Sequence, residues 1–178
     1  MMGLWSTVWI DRISARTDWE PLNLDVPWGE IEDALDTLLP EDYKGLVETF
    51  GKGEFSEFFR ILTADSAKTF DLLHWWNSYC ARSPRGESDP LLGPYQVYRP
   101  NLPGLIPWAH GELKTGYFWL ASSEVDPSNW PILTRSDRYP WQQVNMSTSE
   151  FLYRVLTDTD FEPFSIARLF PDPDFYPF

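Results

Sequence analysis

The sequence predicts an α+β fold, a mainly antiparallel central sheet of about five to six strands with helices packed on it. Three observations lead there. Between residues 105 and 144, four short aromatic runs are separated by polar turns, the pattern of an antiparallel meander. Before and after them, apolar residues recur at i, i+3, i+4 and i+7, the spacing of one helix face. The chain has 178 residues, 43% hydrophobic and 17% aromatic with 10 Trp. That is enough to fill one sizeable core, because each large ring buries so much surface. Residues 1–178 therefore read as a single domain.

The N-terminal elements follow in order. Trp5, Trp9 and Ile13, with Val8, lie along one side of a short helix. Residues 18–27 are polar and proline-flanked, a connector that completes an N-terminal extension over 1–27. Residues 29–38 read as a helix with Ile31, Leu35 and Leu38 inward and Glu32, Asp33 and Asp36 outward. The stretch 39–55 is the most fully specified. Pro40 suits the first helical position, and Glu41 and Asp42 meet the positive end of the helix dipole. Tyr43, Leu46, Val47 and Phe50 form the apolar face. Gly51 is placed to end the helix in a left-handed conformation, with Lys52 by its last carbonyls. Gly53 permits a second sharp turn before a strand at 58–62.

Asp65 and Ser66 are candidate caps for the next helix, which reaches about residue 81 and carries Leu72, Trp75, Trp76 and Tyr79 as its stripe. Residues 82–104 hold prolines at 84, 90, 94, 100 and 103 and read as a functional or mobile loop. Tyr95, Val97 and Tyr98 could form a short extended piece inside it. The meander strands are 105–109, 117–121, 130–134 and 141–144. Pro107 and Pro131 belong at edges or strand starts, where no ladder N–H is missed. Trp28, Trp108, Trp119 and Trp130 adjoin apolar elements and read as core. Ser147 and Glu150 fit a reciprocal capping box, and Phe151, Leu152, Val155 and Leu156 face inward from the helix they start. Residues 158–178 are a proline- and aromatic-rich tail laid over the body.

Net charge is −13, and it is concentrated. Residues 18–57 carry twelve acids against Lys44 and Lys52. Such a field keeps a protein soluble or draws in a basic protein partner. It excludes nucleic acid, which needs Lys and Arg. No apolar run approaches the ~20 residues that span a bilayer, so no membrane is expected. Cys80 is the single cysteine, which excludes an intramolecular disulfide framework and points to a reducing, cytoplasmic setting.

Catalytic chemistry has few candidates. His74 and His110 are the only histidines. His74 and Cys80 sit six apart on one helix, about 240° around it, and out of mutual reach. His110 falls in a turn and reads as a solvated loop residue. Two histidines and one cysteine without ligand spacing make no metal site. The run from Gly51 to Ser56 lacks the endings of a phosphate loop and of a dinucleotide fingerprint, so no cofactor is expected. No catalytic residue is assigned. An enzyme acting through its carboxylates is the weakest of the readings.

Pieces of the chain nevertheless fall into a known order. They are Trp28-Gly29-Glu30-Ile31-Glu32, Leu39-Pro40-Glu41-Asp42-Tyr43-Lys44, Phe50-Gly51-Lys52-Gly53-Glu54-Phe55, Leu105-Ile106-Pro107-Trp108, Trp119-Leu120, Asp126-Pro127 with Trp130-Pro131-Ile132, and Glu150-Phe151-Leu152 before Val155-Leu156. This ordered set, over residues 28–157, resembles the SUKH superfamily, which includes the yeast cell-wall-assembly regulator and many bacterial immunity proteins. The resemblance implies an α+β fold and a binding protein without catalysis. It also implies a cytoplasmic immunity partner that neutralises a cognate bacterial toxin domain, often a nuclease. The acidic residues Glu32, Asp33, Asp36, Glu41 and Asp42 are the expected contact surface. The alternative is a regulatory scaffold or adaptor with no toxin.

Overall fold

A computed structural model describes residues 4–64, 68–84, 89–112 and 114–178. Among them, strands run over β1 (Gly53–Phe55), β2 (Phe59–Ile61), β3 (Gly104–Gly111), β4 (Gly116–Ala121), β5 (Ile132–Arg135), β6 (Gln142–Val144) and β7 (Phe175–Pro177). They form one open antiparallel sheet in the order β6–β5–β4–β3–β2–β1–β7. Five α-helices accompany them: α1 (Leu4–Thr17), α2 (Trp28–Leu35), α3 (Glu41–Phe50), α4 (Leu72–Arg82) and α5 (Thr148–Thr157). The α+β class and the meander over β3–β6 are as the sequence predicts.

The sheet is larger than expected because two three-residue strands meet at its far end. Gly53 begins β1 rather than a turn. A Cβ there would lie 2.4 Å from both the Phe175 ring and the Tyr176 carbonyl, so the missing side chain lets β7 close on β1. The tail is thus built into the sheet as an edge strand, and Phe175 joins the core. Gly51 ends α3 at φ 69° but ψ −147°, outside the left-handed helical region, and donates its N–H to the Val47 carbonyl at 2.8 Å.

Alternation along β4 sorts the two layers, since successive side chains point to opposite faces. Tyr117 meets Phe151 of α5, and Trp119 meets Tyr43 of α3, on one face. Phe118, on the other face, meets Tyr79 of α4 and Trp141. Helices α1, α3 and α5 pack together over the first face. Helix α4 and the segment after it cover the second. Tyr43, Leu46, Val47 and Phe50 are all buried, as are Phe151, Leu152, Val155 and Leu156. The Tyr43 hydroxyl donates to the Leu62 carbonyl, tying α3 to the chain just beyond β2.

Several expectations need correction. In α1 the buried residues are Ile10 and Ile13, and Val8 is exposed, so the inward stripe is rotated from the one inferred. Leu38 is 62% exposed, because α2 ends at Leu35 and Asp36 turns left-handed at φ 54°. Pro40 precedes the first helical residue of α3 instead of occupying it.

Pro107 lies inside β3, an interior strand, at a bulge: it faces Phe118 while Ala109 faces Tyr117, leaving Trp108 as the extra residue. A bulge interrupts the ladder locally, so a residue without an N–H is accommodated there. The capping box is half formed. Ser147 accepts from the Glu150 N–H, but the Glu150 carboxylate pairs with Arg154.

The predicted caps Asp65 and Ser66, and the Trp5 side chain, lie outside what is described. Helix α4 starts later than expected, capped by Asp71, whose carboxylate accepts from the His74 N–H. The described part of residues 82–104 is pinned by its own contacts. Val97 and Tyr98 are buried, and Val97 bridges Leu105 as a short extended piece. The Trp76 indole donates to the Tyr98 carbonyl, and Arg99 donates to the carbonyls of Cys80 and Ser83.

Candidate functional site: an acidic edge on the helical layer

The five acids singled out in the sequence occupy α2, its C-cap and the first turn of α3, but they do different things. Asp33 and Asp36 are exposed and make no ion pair among the described residues. Glu41 is exposed and pairs with Lys44. The Glu32 side chain is only 13% exposed. Its Oε1 accepts from the Leu39 N–H at 2.9 Å and from Lys44 Nζ at 3.1 Å. It therefore holds the α2–α3 corner together. Lys44, one of only two bases in this acid-rich region, is consumed between Glu32 and Glu41.

Asp42 is not on the surface. It is 6% exposed, and its Oδ2 accepts from the Ser149 N–H at 2.7 Å. The carboxylate thus satisfies one of the unpaired donors of the first turn of α5 from a different helix. The sequence pattern put it outward because a first-turn acid is usually read against its own helix. Here its target is 107 residues away. Burial pushes the Asp42 carboxyl above the usual carboxylate range, although the Ser149 N–H pulls the other way.

This gives a pH-dependent prediction. A proton held more tightly in the folded state favours folding at low pH. That contribution is full below the ordinary value of 3.8 and is lost as pH rises through the raised folded value. Relative to Asp42→Asn, which keeps a carbonyl acceptor without a charge, the wild type should lose stability across that window. Asp42→Ala, which leaves the Ser149 N–H unpaired, should cost about 1–3 kcal/mol. Urea unfolding of the three proteins between acid and neutral pH measures both effects.

The structure adds acids that sequence reasoning did not group. A pocket of about 340 Å³ between α1, the connector and α3 is lined by Asp11, Glu41 and Glu48, with Ile10 and Leu24 as apolar wall. Glu41, Gly45 and Glu48 are spaced i, i+4, i+7, so their shared face was readable in the sequence. Asp11 comes from α1, and only the packing of α1 on α3 brings it there. The helices approach closely at Gly45, where a Cβ would lie 2.8 Å from Ile10 Cδ1. The connector is held along α3 by Leu22 and Leu24, whose N–H groups donate to the Thr49 and Glu48 carbonyls. The Trp28 indole donates to Glu48 Oε1 at 2.7 Å. The acidic edge is therefore held on rigid supports.

The remaining chemical candidates are scattered. His74 is exposed on α4, and Cys80 is half-buried on the same helix. His110 lies on β3 opposite Arg60 and Gly116, not in a solvated turn. Burial and the nearby Arg60 hold its imidazole below the usual range. Among the described residues no three His, Cys, Asp or Glu side chains converge as metal ligands would, and no helix is long and apolar enough to cross a membrane. Comparison with family models, curated proteins and solved structures returns no match.

Proposed function

We propose that this protein is an immunity-type binding protein of the SUKH kind. In this reading it neutralises a cognate toxin domain in the cytoplasm by direct contact, without catalysis of its own. The observation that supports the reading is the exposed edge formed by Asp33, Asp36 and Glu41. It continues into the pocket lined by Asp11 and Glu48, and its nearest base, Lys44, is already paired. Carboxylates in excess of the nearby bases, on a rigid frame, attract a basic partner from a distance and accept its Lys and Arg side chains at contact. A basic nuclease domain has that chemistry. Asp42, buried under α5, serves the frame and is withdrawn from the contact set.

The test is protection in cells. A candidate toxin domain, if one is encoded beside this gene, is expressed with and without the protein, and survival is counted. Survival restored by the wild type supports the proposal. Equal killing with and without it contradicts the immunity reading and leaves the regulatory scaffold.

A further inference from the structure

The face of the sheet away from α3 carries a second feature, of opposite charge and different lining. Two adjoining hollows, of about 180 and 250 Å³, lie between α4 and the β3–β5 end of the sheet and share Tyr79, Lys114, Gly116 and Phe118. The larger is walled by Trp75, Phe118, Pro107 and Ala109, with His110 at its side. The smaller is lined by Arg82, Arg135, Ser136 and Trp141, with one carboxylate, Asp137, which Lys114 pairs.

The rings form a continuous aromatic lining. Trp75 meets His110 at 5.1 Å, Tyr79 meets Phe118 at 5.7 Å, and Phe118 meets Trp141 at 5.6 Å. Cations sit on it. Arg82 lies 4.6 Å over the Tyr79 ring, and Arg135 lies 5.9 Å from that of Trp141. Arg82 is 3.4 Å from Asp89, and Lys114 pairs with Asp137 at the rim. Arg135 has no carboxylate partner among the described residues. In a chain of net charge −13, an arginine left without an acid in an aromatic hollow is unexpected.

The two hollows ask for different halves of one ligand. His110 stands beside the aromatic hollow with its Nε2 closed off from solvent, so that side offers stacking faces rather than a polar contact. The other side offers a planar guanidinium, suited to the paired oxygens of a carboxylate or phosphate. Concave, mostly apolar sites with a few converging polar groups are the usual form of small-molecule sites.

We propose that this cleft binds a small anionic ring compound, a planar aromatic or heteroaromatic group carrying a phosphate or carboxylate. The ring lies beside Trp75, Phe118 and His110, and the anion lies at Arg135 with Arg82 and Lys114. The site is independent of the acidic edge and stands or falls separately from it.

Calorimetric titration of the full-length protein with adenosine monophosphate and with indoleacetate tests this, with adenosine and tryptamine as the neutral and cationic controls. At least one anionic probe is expected to bind with a Kd below about 1 mM, and its control at least about tenfold more weakly. Tighter binding of the nucleotide assigns a phosphate arm; tighter binding of indoleacetate assigns a carboxylate arm. Arg135→Glu should weaken the better probe by about tenfold or more, while Asp33→Lys leaves it unchanged. Should Arg135→Glu fail to fold, Arg135→Gln and Lys114→Glu carry the same expectation in milder form. The proposal is overturned if neither anionic probe saturates, if the controls bind as tightly, or if the folded charge variants bind like the wild type.

Discussion

Replacing Phe50 with alanine is expected to lower the unfolding free energy by about 3–5 kcal/mol and the melting temperature by roughly 10 °C. Phe50 is fully buried at the end of α3. Its ring meets Phe55 of β1 at 4.9 Å, Phe175 of β7 at 5.1 Å and Trp19 of the connector at 6.2 Å. Those partners belong to three separate stretches of chain, the connector, β1 and the C-terminal strand β7. The cavity left by alanine would be lined by rings fixed in strands, which cannot relax inward, so the cavity cost is retained. Urea unfolding followed by tryptophan fluorescence measures the loss. A cost under about 1 kcal/mol would mean that the cluster is loosely packed and does not join the tail to the body.

Reversing Asp33, Asp36 and Glu41 together to lysine is expected to slow association with the proposed toxin partner by about tenfold or more and to flatten its salt dependence. The fold should stay intact, at a small cost for lysine at the left-handed Asp36 position. Asp33 and Asp36 are exposed and make no ion pair among the described residues, and Glu41 gives up only a contact to Lys44, which keeps Glu32. Glu32 and Asp42 are left alone in this variant because both hold structure. Altering Glu32 would free the Leu39 N–H and Lys44, and altering Asp42 would uncap α5. Stopped-flow association at low and high salt separates steering from contact. An unchanged rate would place the interface elsewhere.

Much of the fold was legible because local signals agreed with one another. Tyr43, Leu46, Val47 and Phe50 kept helical spacing and are the core of α3. The aromatic runs 105–109 and 117–121 became neighbouring strands as their spacing required. What was not legible depended on distant partners. Glycine at 53 reads as a turn until β7 is known to occupy the space beside it. Pro107 reads as an edge residue until the bulge at Trp108 is seen.

The same divide runs through the acidic site. Asp33, Asp36 and Glu41 are surface acids, as their helix positions suggest. Asp42 carries the same first-turn signal as Glu41, yet it is drawn under α5 by the Ser149 N–H, a contact no local pattern encodes. Asp11 reaches Glu41 only through the packing of α1 on α3. The aromatic cleft was invisible for a similar reason. Its rings and cations come from α4, β3, the β3–β4 turn, β4, β5 and the residue before β6.

The central claim is that the edge formed by α2 and the start of α3 is the partner surface, and amide hydrogen exchange on the complex tests it most directly. The protein is exchanged alone and bound to the toxin domain it is proposed to neutralise, and protection is mapped by peptide. The account predicts new protection over residues 28–49 and in the connector at 18–27, with the β3–β5 cleft unchanged. Protection confined to the cleft or to the β6 edge, with residues 28–49 exchanging as in the free protein, would contradict it.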